Sequence, residues 1–336
     1  MIFKDKRLLP NHPDSLIIAE AVLMAKRDKH VIRFTTSDLA QALLAKQFPE
    51  LIIDYYQETN LKENLWKGYQ ECPVSDTTLS NLYENLNNNI FNATTNEYIS
   101  LVQENKIIDL LKWTGNAYDN LKYKDIKSDF FGTVQPRNTQ QKMQFDLLQN
   151  RNIPVKVFRG PYGSGKTFLA LVHATHYIKF HKFDRMIYVR NNIEVAGTQH
   201  LGALPGEEID KLLPYVMPLA DHFGSIDVLQ DNIMQGYIEP IHLGFMRGRS
   251  FNNSIIFVDE AENLTTDNVK LLLGRVGENS ELWLLGDESQ TDSDLFKKNN
   301  GIASIISSLK GEPLFGTIEL QKTERGAVAQ LSAKIK

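Results

Sequence analysis

The sequence is nearly free of cysteine, since Cys72 is the only one among its 336 residues. A single thiol excludes an intrachain disulfide and a cysteine-rich zinc site. No apolar run approaches the ~18 residues of a membrane span, and no apolar segment of a signal peptide follows the charged opening at residues 4–7. These absences predict a cytoplasmic chain with no membrane partner.

The chain also lacks a strong charge of either sign, because its formal net charge is only −4. It therefore exerts no long-range attraction on nucleic acid, although local basic patches can still bind phosphates within a Debye length of ~8–10 Å. At 336 residues the chain is too long for one ordinary core. We therefore expect a small N-terminal domain and a larger second domain.

The most informative segment that is present lies at residues 160–167, which read Gly-Pro-Tyr-Gly-Ser-Gly-Lys-Thr. This is a complete Walker A loop, preceded by an apolar run at 155–158 and followed by a helical pattern from Phe168. Backbone N–H groups of such a loop bind phosphates, Lys166 reaches the β- and γ-phosphates, and Thr167 binds Mg²⁺. An incidental glycine-rich turn would lack the flanking strand and helix. The predicted nucleotide-binding residues are Gly160, Gly163, Ser164, Gly165, Lys166, Thr167 and Phe168.

A second apolar run at 255–258 ends in Asp259 and Glu260, which is a Walker B pattern. Carboxylates at the C-terminal end of a buried parallel strand lie where α/β sheets bind ligands. Asp259 is predicted to hold Mg²⁺ and Glu260 to activate the attacking water as a general base. The alternative is a helix N-cap followed by a first-turn charge.

A third apolar run at 282–285 leads to a polar cluster that includes Gln290. An amide can accept a hydrogen bond from water and donate one to a phosphate oxygen, so Gln290 is a candidate sensor of the γ-phosphate. The alternative is an ordinary turn residue after Gly-Asp.

From residue 135 onward the chain resembles the PhoH family of P-loop ATPases, which is related to superfamily 1 helicases. Besides the Walker motifs, the resemblance is carried by several short segments. They are residues 136–138 with Gln141, 201–207, Lys211, 214–215, 246–250, 259–263, Gly286-Asp287 with Gln290, and Glu324-Arg325.

The resemblance implies roles that the residues alone do not reveal. It implies that Gln141 contacts adenine and that Arg325 is an arginine finger, supplied to a neighbouring subunit. It also implies a ring-shaped homo-oligomer, a hexamer in the simplest case, that binds single-stranded RNA and couples hydrolysis to remodelling or unwinding of RNA. Glu262 departs from the family, which usually has Gln at this position, so no role is transferred to it.

Residues 11–38 resemble the second half of a PIN nuclease domain. Asp14 begins an apolar-periodic helix and Asp38 follows a short apolar segment. The family's first-strand Asp and the next helical acid are absent, because Met1 begins after that strand. Asp14 and Asp38 alone cannot hold two metal ions in hydrolytic geometry. Helix capping is the alternative for both, and we expect a structural or RNA-contacting appendage rather than a ribonuclease.

Residues 58–130 change character, because asparagines cluster at 85–96 and favour turns. Short strands such as 97–102 alternate with these turns, which indicates a small irregular insert. The expected division is a partial PIN-like domain at 1–57, a connector at 58–130 and the ATPase domain at 131–336.

A basic patch directly precedes the second apolar run. Arg247, Arg249 and Phe251 suit a strand of RNA, because guanidinium groups bind phosphate and an aromatic ring stacks on bases. The same arginines could face the γ-phosphate of a neighbouring subunit or pair with carboxylates of the core.

The sequence as a whole predicts an α/β fold: a doubly wound, parallel-sheet P-loop NTPase domain with a small, partial PIN-like α/β domain at the N-terminus. The predicted activity is ATP hydrolysis with Mg²⁺, coupled to RNA. Two alternatives stay open, a nucleotide-switched binding protein and a PIN-type ribonuclease whose site is completed elsewhere.

Overall fold

The chain forms two units, residues 1–64 and residues 65–336. The structure is a computed structural model and describes residues 8, 12–36, 38–55, 65–128, 131–190, 208–291, 296 and 299–324. None of the helices within these ranges is long and apolar enough to cross a lipid bilayer.

The first unit is a small α/β layer. Its strands β1 (Ile32–Thr36) and β2 (Leu51–Tyr55) pair in parallel, and its helices are α1 (Pro13–Asp28) and α2 (Leu39–Ala45). Apolar side chains of all four elements form a separate core that includes Ile18. Parallel strands joined through a helix are the arrangement expected of an α/β domain.

The second unit begins with a four-stranded sheet in the segment expected to be an irregular insert. Its strands are β3 (Tyr69–Pro73), β4 (Tyr98–Gln103), β5 (Lys106–Trp113) and β6 (Tyr118–Asn120), with helix α3 (Asp76–Glu84) between β3 and β4. The asparagine-rich turns do form, since Asn92 and Asn96 adopt the left-handed backbone that Asn tolerates. The turns lie around a packed sheet, which has a core of its own.

A short hairpin and the central sheet follow. The hairpin strands are β7 (Ile126–Ser128) and β8 (Gly132–Val134). The central sheet is entirely parallel, in the order β11-β10-β12-β13-β9-β14. Its strands are β9 (Val155–Arg159), β10 (Arg185–Arg190), β11 (Ile238–Ile241), β12 (Ser254–Asp259), β13 (Glu281–Gly286) and β14 (Phe315–Glu319).

Successive residues of each strand point to opposite sides of the sheet, and the strands are apolar on both sides. Helices therefore cover both faces of the sheet. On β12, Phe257 packs in one apolar cluster and Val258 in the other. The first cluster includes side chains of α4 (Thr139–Gln149), α5 (Lys166–Lys179), α6 (Glu208–Phe223) and α7 (Ile226–Met234). The second includes side chains of α8 (Thr266–Leu273) and α9 (Gly301–Leu309). The predicted doubly wound parallel α/β fold is confirmed.

Helix α4 connects the small sheet to the central one. Its Asp146 is buried and accepts hydrogen bonds from Tyr98 Oη at 2.7 Å and from Lys112 Nζ at 2.6 Å. Asp146 Oδ1 also accepts from the backbone N–H of Lys122 at 2.6 Å. On the same helix, Gln144 Nε2 donates to Lys166 O at 2.9 Å, so α4 contacts the P-loop helix directly.

Candidate nucleotide-binding site

The Walker A loop joins β9 to α5, and close contacts explain its glycines. Gly160, Gly163 and Gly165 have φ values of 142°, 77° and 91°, a region that L-residues rarely adopt. A Cβ on Gly160 would overlap Leu320 O, and one on Gly165 would lie 2.8 Å from Gln141 Nε2. The loop therefore requires glycine for its backbone conformation and for the approach of its neighbours.

Lys166 and Thr167 are the first residues of α5. The Lys166 side chain is buried and folds back over the loop, where Nζ donates to Gly160 O at 2.9 Å. Its ammonium is 5.4 Å from the centre of the Tyr162 ring. A cation and a hydroxyl at the start of a helix, with loop N–H groups beside them, form an anion-binding arrangement.

Asp259 ends β12 and meets the start of α5. Thr167 Oγ1 donates to Asp259 Oδ1 at 3.3 Å, and Tyr188 Oη donates to Asp259 Oδ2 at 3.2 Å. Burial raises the pKa of Asp259, and the negative charge of Glu260 raises it further. A bound divalent cation would favour the ionised carboxylate. A hydroxyl and a carboxylate oxygen are ligands suited to Mg²⁺, which is usually held by few protein groups and by substrate phosphates.

Glu260 adopts a left-handed backbone, with φ 51° and ψ 43°, directly after the strand. Its carboxylate forms an ion pair with Arg190 at the end of β10. Glu260 also lines the cleft that contains Lys166 and Thr167. Glu260 is thus a candidate general base at the cleft that the Walker A loop borders.

Strand β13 lies between β9 and β12, so the polar cluster that follows it adjoins both Walker segments. Gln290 belongs to a 3-10 turn at Glu288–Gln290, and its Nε2 donates to Asp287 Oδ2. Gln290 is not among the described residues that line the cleft, whereas Gly286 is. The amide of this candidate γ-phosphate sensor is thus engaged by Asp287.

Glu262 joins the Walker B segment to the end of β13. It is 3% exposed, and its Oε2 accepts a hydrogen bond from the backbone N–H of Asp287 at 3.0 Å. Burial raises the pKa of Glu262 to about 8. A protonated carboxyl is neutral and can donate as well as accept, as an amide can.

Gln141, expected to contact adenine, packs against the P-loop backbone. Its Nε2 donates to Ser164 O at 2.9 Å, and its Oε1 accepts from the backbone N–H of Arg137 at 2.8 Å. Both ends of the amide are therefore engaged, although Gln141 also lines the cleft. Phe168 forms part of the cleft wall, with its ring edge-on to Phe131 at a centroid distance of 5.2 Å.

The cleft has a volume of about 840 Å³ and lies at the carboxyl edge of the sheet. That volume falls within the ~300–1,000 Å³ range of small-molecule sites, and the location is where parallel sheets bind ligands. Phe131 and Phe168 supply apolar wall, while Lys166 and the Walker B carboxylates supply charge. The cleft therefore offers both apolar wall and charged groups to a ligand.

The basic patch before β12 differs from the expectation at Phe251. This side chain is 1% exposed and packs in the apolar cluster under β12, so it has no free face for a nucleic-acid base. We therefore correct the predicted stacking role of Phe251. Arg247 and Arg249 are both exposed, and Arg249 pairs with Glu239 at 2.7 Å and lies over the Phe251 ring.

Several residues that carry the resemblance lie outside the described residues. They are Arg325, the proposed arginine finger, and residues 201–207; for Lys211 and residues 214–215 only the helical backbone is described. Glu324 is described and reaches the P-loop, because its backbone N–H donates to Gly163 O at 2.8 Å. Its Oε1 accepts from Asn138 Nδ2 at 2.7 Å.

In the first unit, Asp14 and Asp38 contact the same residue, Gln41, through different groups. Asp38 is the N-cap of α2 and accepts from the backbone N–H of Gln41 at 2.9 Å, while Asp14 Oδ1 accepts from Gln41 Nε2 at 3.2 Å. Asp14 lies in the first turn of α1. Among the residues that the structure describes, no group of three or more His, Cys, Asp or Glu could hold a metal ion. Asp38 caps a helix, as the alternative interpretation of this residue states.

Sequence reasoning missed the contribution of β10. Tyr188 contacts Asp259 and Arg190 contacts Glu260, so one strand supplies a partner to each Walker B carboxylate. The available signal was the apolar run at 186–189 followed by Arg190, a charged residue at the carboxyl end of a strand.

A parallel α/β sheet with a Walker A loop on one strand and paired carboxylates two strands away defines a P-loop nucleotide-binding protein. The family model described as PhoH-like protein matches residues 133–334 of this chain. The chain therefore belongs to the PhoH-like protein family.

Three relatives illustrate the extent of the similarity. Protein PhoH2 of Bacillus subtilis (strain 168) is 30% identical over 292 residues, which cover 81% of this chain and 65% of that protein. Protein PhoH2 of Thermobispora bispora is 28% identical over 332 residues, or 95% of this chain and 73% of that protein. The PhoH-like protein of Synechocystis sp. (strain PCC 6803) is 34% identical over 169 residues, covering 49% of this chain and 50% of that protein. The chain thus spans less than two thirds of the length of the Bacillus relative.

Proposed function

We propose that this chain hydrolyses ATP with Mg²⁺. The observation that carries the proposal is the meeting of Thr167 with Asp259 at 3.3 Å, in a cleft that also contains Lys166 and Glu260. These are the groups that phosphoryl transfer requires, because its catalysis is mostly positioning and charge stabilisation.

Each residue has a distinct role in this proposal. The loop N–H groups and Lys166 bind the phosphates, and Thr167 and Asp259 hold Mg²⁺, which neutralises phosphate charge when it is bound. Glu260 takes a proton from the attacking water. Gln290 senses the γ-phosphate after its amide leaves Asp287.

Further parts of the proposal rest on the family resemblance. The ATPase cycle is coupled to single-stranded RNA, with Arg247 as its exposed basic contact, and the chain assembles into a homo-oligomeric ring. Arg325 supplies positive charge to a neighbouring site. The adenine contact of Gln141 requires its amide to leave either Ser164 or Arg137.

We also propose that residues 1–57 are a PIN-like appendage without nuclease activity. Asp38 is already used as an N-cap that accepts from the Gln41 backbone N–H, and Asp14 accepts from the Gln41 side-chain amide. Two carboxylates of this kind provide too little negative charge for a two-metal site.

An ATPase assay tests the proposed function directly. Purified wild type, Lys166→Ala and Glu260→Gln would be compared, with Lys179→Ala as a control at the opposite end of the same helix. We expect Lys166→Ala to lose ATP binding and turnover. Glu260→Gln should keep ATP bound while turnover falls by about 10² or more, the scale of a lost general base.

Three other outcomes would change this proposal. Tight ATP binding without turnover by wild type would make the chain a nucleotide-switched binding protein. The same reactions, run with single-stranded RNA, test the coupling: unchanged turnover would remove RNA as the partner. RNA cleavage in Mn²⁺ that disappears in Asp14→Asn would restore a nuclease role for the first unit.

A further inference from the structure

The neighbouring strand β10 holds the candidate general base. Arg190 is the last residue of β10 and lies opposite Asp259 in the parallel register with β12. Because side chains alternate along a strand, Tyr188 and Arg190 share one face. Tyr188 Oη donates to Asp259 Oδ2, and Arg190 Nη2 donates to Glu260 Oε1. The same strand therefore positions both Walker B carboxylates.

The backbone of Glu260 is unusual, and its side chain is held by an ion pair. A φ of 51° is left-handed, and Glu is rarely found in that region. Strained backbone of this kind persists where the surrounding structure holds it, and it concentrates at functional sites. The side chains of Arg190 and Glu260 are only 20% and 28% exposed, so solvent screens their attraction less than it screens a surface pair.

Arg190 lies behind the carboxylate that lines the cleft. Glu260 lines the cleft, whereas Arg190 is not among the described residues that line it. The Arg190 Nε is buried and has no acceptor among the described residues, so the Nη2 contact with Glu260 is the bond through which this guanidinium reaches the site. The hydrogen bond to Glu260 is thus the described contact that links Arg190 to the cleft, while its positive charge also opposes the rise that burial causes in the pKa of Asp259.

We propose that Arg190 is a positioning residue for ATP hydrolysis, which keeps Glu260 turned so that one carboxylate oxygen is free for the attacking water. This inference rests on the proposed ATPase function. Arg190 occupies Oε1, which leaves Oε2 to accept a proton. Arg190 itself stays protonated throughout, because guanidinium does not deprotonate in proteins.

The step balances in protons and electrons. The water oxygen forms a bond to the γ-phosphorus as the bond between that phosphorus and its bridging oxygen breaks. The bridging oxygen leaves on ADP with the electron pair, and Glu260 Oε2 takes the proton of the water. The carboxyl then returns the proton to solvent or to the released phosphate, and the ion pair with Arg190 is restored.

Four variants and one matched control test the proposal. They are Arg190→Ala, Arg190→Lys, Glu260→Gln, the Arg190→Ala/Glu260→Gln double variant, and the control Arg185→Ala. Arg185 lies at the other end of β10 and pairs with Glu239 at 2.8 Å, so the control also removes an arginine ion pair from the same strand. Single-turnover ATP hydrolysis, KM, ATP affinity and thermal unfolding would be measured for each.

We expect Arg190→Ala to lower kcat by about 10- to 100-fold, the scale of a misplaced catalytic group, with KM and ATP affinity within about threefold of wild type. Arg190→Lys should recover part of this loss, since it keeps the charge but not the fork geometry. In the Glu260→Gln background, Arg190→Ala should have no further effect, because residues that act as one unit are not additive. Arg185→Ala should match wild type.

The measurements distinguish a failure of the ATPase function from a failure of the role of Arg190. If wild type does not hydrolyse ATP, the proposed function fails and this inference fails with it. If wild type is active and Arg190→Ala is as active as Arg185→Ala, only the role of Arg190 is removed. An equal loss in both Glu260 backgrounds would make Arg190 a structural residue. If Arg190→Ala loses ATP binding through misfolding, Arg190→Lys decides: turnover between that of Glu260→Gln and wild type at unchanged ATP affinity supports the proposal, and an equal loss with and without Glu260→Gln overturns it.

Discussion

Lys112 Nζ lies 2.6 Å from Asp146 Oδ2, and the two side chains are only 8% and 2% exposed. This buried ion pair joins strand β5 of the small sheet to helix α4, which contacts the P-loop helix through Gln144. Tyr98 Oη and the Lys122 backbone N–H complete the hydrogen bonds of the carboxylate. The small sheet is thus bound to the nucleotide-binding core by a buried polar network whose carboxylate has all these hydrogen-bond partners.

Removing the lysine from this network is expected to destabilise the second unit. Lys112→Ala leaves the Asp146 carboxylate buried without its cation, which typically costs about 3–5 kcal/mol. The control is Lys122→Ala, which removes the exposed pair with Asp119 (77% and 45% exposed) and should cost less than about 1 kcal/mol. Thermal unfolding followed by circular dichroism measures both, and equal melting temperatures would contradict the assigned role of Asp146.

Glu262 is expected to make the free energy of unfolding decrease as pH rises. Burial raises its pKa from 4.5 to about 8, so in that window the folded chain holds a proton that the unfolded chain releases. The contribution to stability is full below about pH 4.5 and is lost as pH rises towards 8, at no more than ~1.4 kcal/mol per pH unit.

Glu262→Gln should remove this dependence, because the amide stays neutral at every pH. We expect the variant to unfold at a higher temperature than wild type at about pH 8 and to differ little at about pH 5. Glu278→Gln, an exposed position, serves as the control. Parallel pH profiles for wild type and Glu262→Gln would show that Glu262 is ionised throughout.

Asp259 should matter for ATP only when Mg²⁺ is present. Asp259→Asn keeps the shape of the side chain but removes its negative charge, and we expect ATP affinity in Mg²⁺ to fall by about 10- to 100-fold. In EDTA the variant and wild type should bind ATP alike. Titration of a fluorescent ATP analogue measures both conditions, with Asp227→Asn on α7 as the control. An equal loss in EDTA would mean that Asp259 acts on the loop rather than on the metal.

Arg325 is expected to act on a neighbouring subunit, although it lies outside the described residues. A finger arginine contributes about 10³ or more to turnover by stabilising charge in the transition state. Arg325→Ala and Lys166→Ala proteins should each be inactive, and mixing them should restore part of the activity at interfaces that keep both residues. Failure to recover despite demonstrated subunit exchange would place Arg325 in the site of its own subunit or outside the site altogether.

The strands and the Walker A loop could be predicted from the sequence, because each depends on a few consecutive residues. The apolar runs at 155–158, 255–258 and 282–285 lie in strands β9, β12 and β13, and the glycines of the Walker A loop have the backbone that such a loop requires. Strand identity follows from a few consecutive residues, and the ends of parallel strands meet at one edge. The carboxyl edge of the sheet could therefore be assigned in advance.

Contacts between distant positions could not be predicted in this way. Arg190 and Glu260 are 70 positions apart, and Lys112 and Asp146 are 34 apart. Nothing in the local sequence says that these charges meet. Phe251 illustrates the same limit, since an aromatic residue beside two arginines looks like a stacking platform but is buried when the strands assemble.

The strand order has a consequence for how the molecule is made. The two Walker strands, β9 and β12, do not touch; each pairs with β13, which ends at Gly286. Strand β9 ends at Arg159 and β12 at Asp259, whereas β13 begins at Glu281, so both motifs are translated before the strand that lies between them. Because domains fold as units and long-range pairing is slow, the nascent chain has no complete phosphate site until β13 inserts between its neighbours. During that interval the edges of β9 and β12 that later pair with β13 are unpaired. Unpaired strand edges are prone to aggregation, and this is the stage at which chaperones bind nascent chains.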